Sequence, residues 1–373
     1  MSQWLNHVLE RASTVDDWLS PVRAQALDTL KQQQWPTRRT EAWRYTSLHP
    51  VADLQLQTGT GNNTAEAPFI EGLNSLDLVF VDGQLSTDIS KLQLPEGVTI
   101  SELSAPSEPA EALFAQVKPS HHLFGLVNDV LAQQGVVIDI AAGAKIKQPI
   151  RIVNFASAGI ESHQRTLVRV GANAQATIIE HGSGSGNSLN TAFAEYDIAE
   201  KANLEHYRFA LHEGESIHIG GSHFKLHDHA KMNSTLIGYG SQLTRLDVDI
   251  EHAGEHAFAK FNNVYLLAPR EHFDLHSTIE HASPNGTTEE NARGIIGDRA
   301  KAVFNGRIHI HRHAQKTLAE LNNRNLLLTR GAQINTKPEL EIYADDVQCA
   351  HGATVAEIDE EALYYMLTRG IDK

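Results

Sequence analysis

A single cysteine in 373 residues excludes a disulfide framework, because one thiol has no intramolecular partner. Aromatic side chains make up only 6% of the chain and form no local cluster, so the stacking aromatics flanked by acids that a sugar groove needs are missing. Cationic side chains are outnumbered, with 31 Lys and Arg against 46 Asp and Glu and a net charge of -15. That balance opposes nonspecific binding to nucleic acid or to an anionic membrane. No apolar run approaches a transmembrane length, and no basic and then apolar segment opens the chain as a signal peptide does. The expected location is cytoplasmic, and the Asn-X-Ser/Thr matches at Asn62, Asn233 and Asn285 are read as accidental. Nucleotide and nucleophile motifs are missing as well. The run Gly182-Ser183-Gly184-Ser185-Gly186 has no Walker pattern, no following lysine and no match to G-x-S-x-G, so it reads as a flexible loop. Any dependence on ATP must then come from another subunit.

What is present fits a soluble chain with one large core and smaller attachments, with 41% apolar residues. Trp4, Leu5, Val8, Leu9 and Ala12 recur at helical spacing, and Ser20 with Pro21 announces a second helix whose core face is Val22, Ala26, Leu27 and Leu30. Residues 1–56 are expected to form a helical cap over the edge of the main body, with Trp43 and Tyr45 as packing anchors. Residues 57–134 are a mixed connecting region: a Thr, Gly and Asn rich linker, a short strand at Leu76 to Val81, and helical stretches through Leu113, Phe114, Val117 and then Phe124, Val127, Val130 and Leu131.

Between residues 135 and 343 short apolar runs alternate with turns, among them VVIDI, ATIIEHG, STLIGYG and AVFNGRIHIH. A polar residue or glycine directly before Ala recurs at 143–144, 173–174, 201–202, 229–230 and 256–257, in steps of about 30, 28, 28 and 27 residues. Similar units at Ala300, Ala314 and Ala332 lie about 14 to 18 apart, near half that period. A coil of two main strands and two corners repeats in this way, which supports a flattened parallel β-helix. An antiparallel sandwich would also space strands evenly, but it predicts tight Asn-Gly hairpins, and only Asn285-Gly286 and Asn305-Gly306 occur.

The chain carries 21 histidines. His309, His311 and His313 alternate opposite Ile308 and Ile310, which places them on a solvated outer face unless a partner covers them. His227 with His229, and His276 with His281, are read the same way, since none shows a zinc spacing with a third ligand. Asp345-Asp346 and Glu289-Glu290 read as acids on surface turns.

The segment ADDVQCAHGAT, residues 344–354, holds Cys349 and, two residues on, His351. A thiol and an imidazole beside Gly352 offer one soft and one borderline metal ligand, but two donors are half a site, and the alternative is a small buried thiol beside a surface histidine. Asp359 is a suitable N-cap for a helix carrying Leu363, Met366 and Leu367 and stopped by Gly370, with Ile371 as the contact beyond it.

This segment, with its run-in PELEIY and run-out DEEALYYMLTRGI, closely resembles the C-terminal part of the SufB/SufD family of iron-sulfur cluster assembly proteins. Glu41, Trp43, Arg44, Tyr45 and Thr46 in PTRRTEAWRYTSL resemble the family's early motif, and the similarity runs over nearly the whole chain. The resemblance implies a mainly β fold, a flattened right-handed parallel β-helix flanked by N-terminal helical and short C-terminal helical segments, with the core at 135–343 and residues 344–373 as the Cys/His segment and helix. It also implies that most of a longer C-terminal helical segment is lacking. By resemblance the chain is a noncatalytic scaffold subunit, with a SufB-like paralogue and a SufC-like ABC ATPase as partners, and with a homodimer admitted for the isolated chain. His351 and, less directly, Cys349 are then ligands at the subunit interface, where an iron-sulfur cluster is held transiently and none is stably bound by the isolated chain. The alternative of another class is a histidine-metal or carbohydrate-active β-helix enzyme, which would carry its own metal or an acid-lined groove.

Overall fold

The computed structural model describes residues 2–59, 65–357 and 359–372, so the Asn62 match lies outside the described residues. Four short strands, β1 (Gln57–Thr58), β2 (Leu76–Val81), β3 (Gln84–Leu85) and β4 (Val98–Glu102), precede the body. The body strands begin with β5 (Gln134–Ile140), β6 (Ile150–Ala156), β7 (Ile160–Val170), β8 (Gln175–Gly184), β9 (Ser188–Ile198), β10 (Asn203–His212), β11 (Ser216–Leu226) and β12 (Lys231–Tyr239). They continue with β13 (Leu243–His252), β14 (Phe258–Leu267), β15 (His272–His281), β16 (Thr287–Ile296), β17 (Lys301–Ile310), β18 (Leu318–Leu327), β19 (Gln333–Ile342) and β20 (Gln348–Glu357). The helices are α1 (Gln3–Ala12), α2 (Ser20–Gln32), α3 (His49–Ala52), α4 (Glu108–Leu113), α5 (Leu123–Leu131) and α6 (Glu360–Thr368).

From β5 onward the odd-numbered strands stack in one parallel sheet and the even-numbered strands in the other. The result is a parallel β-solenoid of about eight turns. The repeating units identified in the sequence are the corners leading from odd to even strands. Gly143, Asn173, Lys201, His229 and His256 all have positive φ, between +57° and +75°. Each turns the chain in the left-handed region, and the following alanine, buried at positions 174, 202, 230 and 257, packs inside the corner. The freed N–H groups make a ladder along the stack: Lys201 donates to the Asp228 carbonyl, His229 to Glu255, His256 to Pro284, Asn285 to Gln315 and Lys316 to Asp346. Asn285-Gly286 is therefore a corner, and Asn305-Gly306 lies within β17; neither is a hairpin. The half-period at Ala300 and Ala332 has a simple cause, because these alanines sit at the opposite corners, between even and odd strands.

Alternation counted from a corner alanine sets what points inward. After Ala202, residues Leu204, His206, Arg208, Ala210 and His212 are all buried in the lumen. The Gly-Ser run is not a free loop: Gly182 and Gly184 end β8, and a Cβ on Gly182 would come within 2.9 Å of the His212 ring in the next coil.

The helical cap lies on the outer wall, where Trp18, Leu19 and Val22 pack with Val137 of β5 and Leu167 of β7, and it does not cover the end of the first coil. Strand β3 pairs antiparallel with β2 and β4 with β5, and Leu85, Ile89, Leu92 and Leu94 close the end of the core. The helices instead cover the outer face of β9, β11 and β13, where Leu189, Phe193, Ile217, Ile219 and Leu243 point outward and would otherwise expose an apolar wall. Trp4 packs on Phe124 at 5.5 Å, and Trp43 is buried in the same layer. Arg23 is buried there as well and donates to the carbonyls of Asp129 and Ala132 at the C-terminal end of α5, an arrangement that satisfies orphan groups of that helix. Paired strands also extend past both limits expected from the sequence: β2 joins β6 ahead of residue 135, and β20 follows residue 343. Among the described residues no helix is long and apolar enough to cross a membrane.

Candidate functional site at the open end of the solenoid

The Cys/His segment is strand β20, and it completes the last coil. Cys349 stands beside Ala319 of β18 and His351 beside Leu321. Ala319 and Leu321 are buried lumen residues, so Cys349 and His351 occupy inward-facing positions, about 7 Å apart along one face of the strand. Among the described residues nothing stacks on this coil. Nearly all of β20 is exposed, His351 included, while Cys349 is half-buried against the core. Burial pushes the Cys349 thiol above its ordinary value, a backbone hydrogen bond from Ala319 opposing, so it is a weak nucleophile until a cation or metal stabilises the thiolate.

Helix α6 follows directly. Its Asp359 side chain caps Glu361 and Ala362, and Gly370 at φ +82° with Ile371 donating to Met366 closes the other end, as its sequence signals require. Helix α6 buries no residue, and Tyr364, Tyr365, Met366 and Leu367 are exposed.

The histidine reading needs a parity correction. His276 points outward against Asp274 Oδ1 at 3.0 Å, whereas His281 is fully buried in the lumen, stacked on His252 at 4.1 Å with Thr288 Oγ1 within 3.0 Å of both rings. His227 bonds Asp197 at 2.7 Å, and His229 stacks on His256 at an exposed corner. A set that the sequence did not single out fills the lumen between β8 and β11. Glu180 receives hydrogen bonds from Tyr196 at 2.8 Å, Ser222 at 2.7 Å and Arg208 at 3.0 Å, and meets His206 Nε2 at 2.9 Å. Burial raises the Glu180 pKa, but Arg208 and His206 outweigh it and hold the carboxyl down to about 2. Alternation from Ala202 was the signal that would have found His206 and Arg208.

The early motif clamps the helical layer onto the odd-numbered sheet. The Arg245 guanidinium lies 4.2 Å over Trp43 and pairs with Asp247 and Asp274, Thr46 donates to Asp274 at 2.5 Å, and Lys337 reaches Glu41 at 2.6 Å. Tyr45 departs from its expected anchoring role, being 52% exposed at the rim of a cleft of about 440 Å³.

The fold and site together define a parallel β-solenoid protein with an apolar core that holds a buried charged cluster, and with a thiol and imidazole on its uncovered last coil. The sequence matches the SufBD protein N-terminal region over residues 6–152 and the SufBD core domain of the SUF system for FeS cluster assembly over residues 153–373. It is 30% identical to the iron-sulfur cluster assembly protein SufD of Escherichia coli, over 100% of this chain and 88% of that protein. It is 29% identical to an iron-sulfur cluster assembly SufBD family protein of Synechocystis, over 97% of this chain and 84% of the relative. Against the iron-sulfur cluster assembly protein SufB of Bacillus subtilis it is 22% identical, over 74% of this chain and 62% of the relative. The chain belongs to the SufB/SufD family, and its role is in iron-sulfur cluster assembly.

Proposed function

We propose that this chain is a noncatalytic scaffold subunit that docks its last coil against a SufB-like paralogue, and that a nascent iron-sulfur cluster is assembled where the two meet. The observation that carries the reading is β20, whose inward positions hold Cys349 and His351 and on which nothing stacks among the described residues. A thiol and an imidazole suit iron as soft and borderline donors, yet a cluster takes four ligands, so the remaining donors come from the partner. The cluster is cargo of the complex, and the isolated chain holds none stably. A SufC-like ABC ATPase supplies ATP hydrolysis, since this chain carries no nucleotide motif; its contact lies near α6, whose exposed Tyr364, Tyr365, Met366 and Leu367 await cover.

The test is cluster formation in a reconstituted, anaerobic complex with SufB-like and SufC-like subunits. His351→Ala is expected to reduce cluster formation at least tenfold with unchanged melting temperature and unchanged subunit stoichiometry, because His351 is exposed and supports no packing. Cys349→Ser is expected to have a smaller effect, in keeping with its raised pKa. A fully active His351→Ala complex overturns the assignment of the site.

A further inference from the structure

We propose that Glu280, His309 and His311 form a binding site for a divalent first-row transition-metal ion on the outer wall of the odd-numbered sheet, a site independent of the open-end reading. Strand stacking makes it. Glu280 of β15 stands directly beside His309 of β17, outward-facing in both strands, and His311 follows two residues on, where the strand enters its corner. The two imidazoles lie side by side, centroids 4.4 Å apart with 12° between planes, and Tyr343 backs His309 at 5.4 Å.

The distances speak for a cation and against an ordinary ion pair. Glu280 Oε1 is 3.8 Å from His309 Nδ1, Glu280 Oε2 is 3.6 Å from His311 Nε2, and one ligand atom from each of the three residues fits within 4.8 Å of the others. These separations exceed hydrogen-bond length. Three donors at about 2.1 Å around one tetrahedral ion stand roughly 3.4 Å apart, so closure requires movements of a few tenths of an ångström to about an ångström in half-exposed side chains. A guanidinium can only donate, so the His309 Nδ1 that faces Arg307 presents a lone pair. That lone pair now accepts from Arg307 Nη2 at 3.1 Å. Arg307 remains anchored when it yields, because Glu341 holds it by two further bonds of 2.9 and 2.7 Å. Two imidazoles and one carboxylate select borderline ions such as Zn²⁺, Co²⁺ or Fe²⁺ over Mg²⁺ or Ca²⁺, and the remaining coordination positions face water, as in an exchangeable site.

Cobalt(II) is the probe, titrated into the full-length chain by its visible absorption and by calorimetry, with Zn²⁺ as competitor and Mg²⁺ as control. One equivalent is expected to bind and to be displaced by Zn²⁺ but not by Mg²⁺. His311→Ala and Glu280→Gln should each weaken binding tenfold or more, with unchanged melting temperatures because both side chains are on the wall's outer surface. Arg307→Gln should tighten it severalfold by removing the competing cation and freeing Glu341, whose Oε2 is 4.0 Å from His309 Nδ1. His351→Ala should leave the affinity unchanged, which separates this site from the open end. Absence of binding, or affinity unaltered by either His311→Ala or Glu280→Gln, overturns the proposal and assigns the cobalt to adventitious imidazoles.

Discussion

Glu180 shows how much of the molecule is held by charge inside a β-core. Its carboxylate is the only anion facing Arg208 and His206 among the described lumen contacts, so Glu180→Gln leaves the buried guanidinium unpaired and should lower unfolding free energy by about 3 kcal/mol in urea melts at pH 7. The pH dependence follows from linkage. Glu180 titrates at about 2 when folded against 4.5 ordinarily, so its stabilisation is complete above pH 4.5 and is lost as pH falls toward 2. Burial depresses His252 to about 4 and His281 to about 2 from 6.5, so the native state resists the protons that the unfolded chain accepts. Stability should therefore begin to fall below about pH 6.5, and His281→Gln should flatten the melting-temperature profile between pH 6.5 and 4. Glu290 has the opposite sign. Burial raises it from 4.5 to about 7, the Ser277 hydrogen bond opposing, so the native state holds a proton that the unfolded state has shed, and stability is lost as pH rises from 4.5 through 7. Glu290→Gln should raise the melting temperature at pH 8 by several degrees and change it little at pH 4.

At the scale of elements the corners govern. Ala202 and Ala230 are fully buried inside them, and replacing either by Leu should destabilise by about 1 to 3 kcal/mol in chemical denaturation, whereas Leu at the exposed Ala350 should be neutral. The corner repeat was legible because its physics is local: a residue that tolerates positive φ followed by the smallest side chain with a Cβ. The β-helix, the α5 face through Phe124 and Val127, and the capping of α6 were legible for the same reason. What was hidden depends on stacking between coils. His281 is the exception, for Phe273, Leu275 and Ile279 of its own strand already set the parity that puts it on the buried face. The seat of the helical cap was hidden, since Leu189, Ile217 and Leu243 form one apolar wall only when residues nearly 30 apart are placed side by side. Cys349 and His351 could be paired by spacing alone, but their inward register required the partners Ala319 and Leu321.

For the whole molecule the decisive feature is the contrast between its ends. Val355 faces inward on the uncovered coil and is 46% exposed, so Val355→Lys should abolish docking to a SufB-like partner in analytical gel filtration while leaving the melting temperature of the isolated chain within about a degree. Amides of β19 and β20 should exchange fastest in the body of the isolated chain and slow on complex formation, because each coil is supported only by its neighbours. The sealed first coil gives this arrangement a further property. A stack that is open at one end and closed by antiparallel strands at the other can take another chain at one end only, so it cannot grow into a filament. If the partner is built with the same polarity, the first docking event consumes both adhesive faces, and the assembly stops at a pair of solenoids meeting head to head.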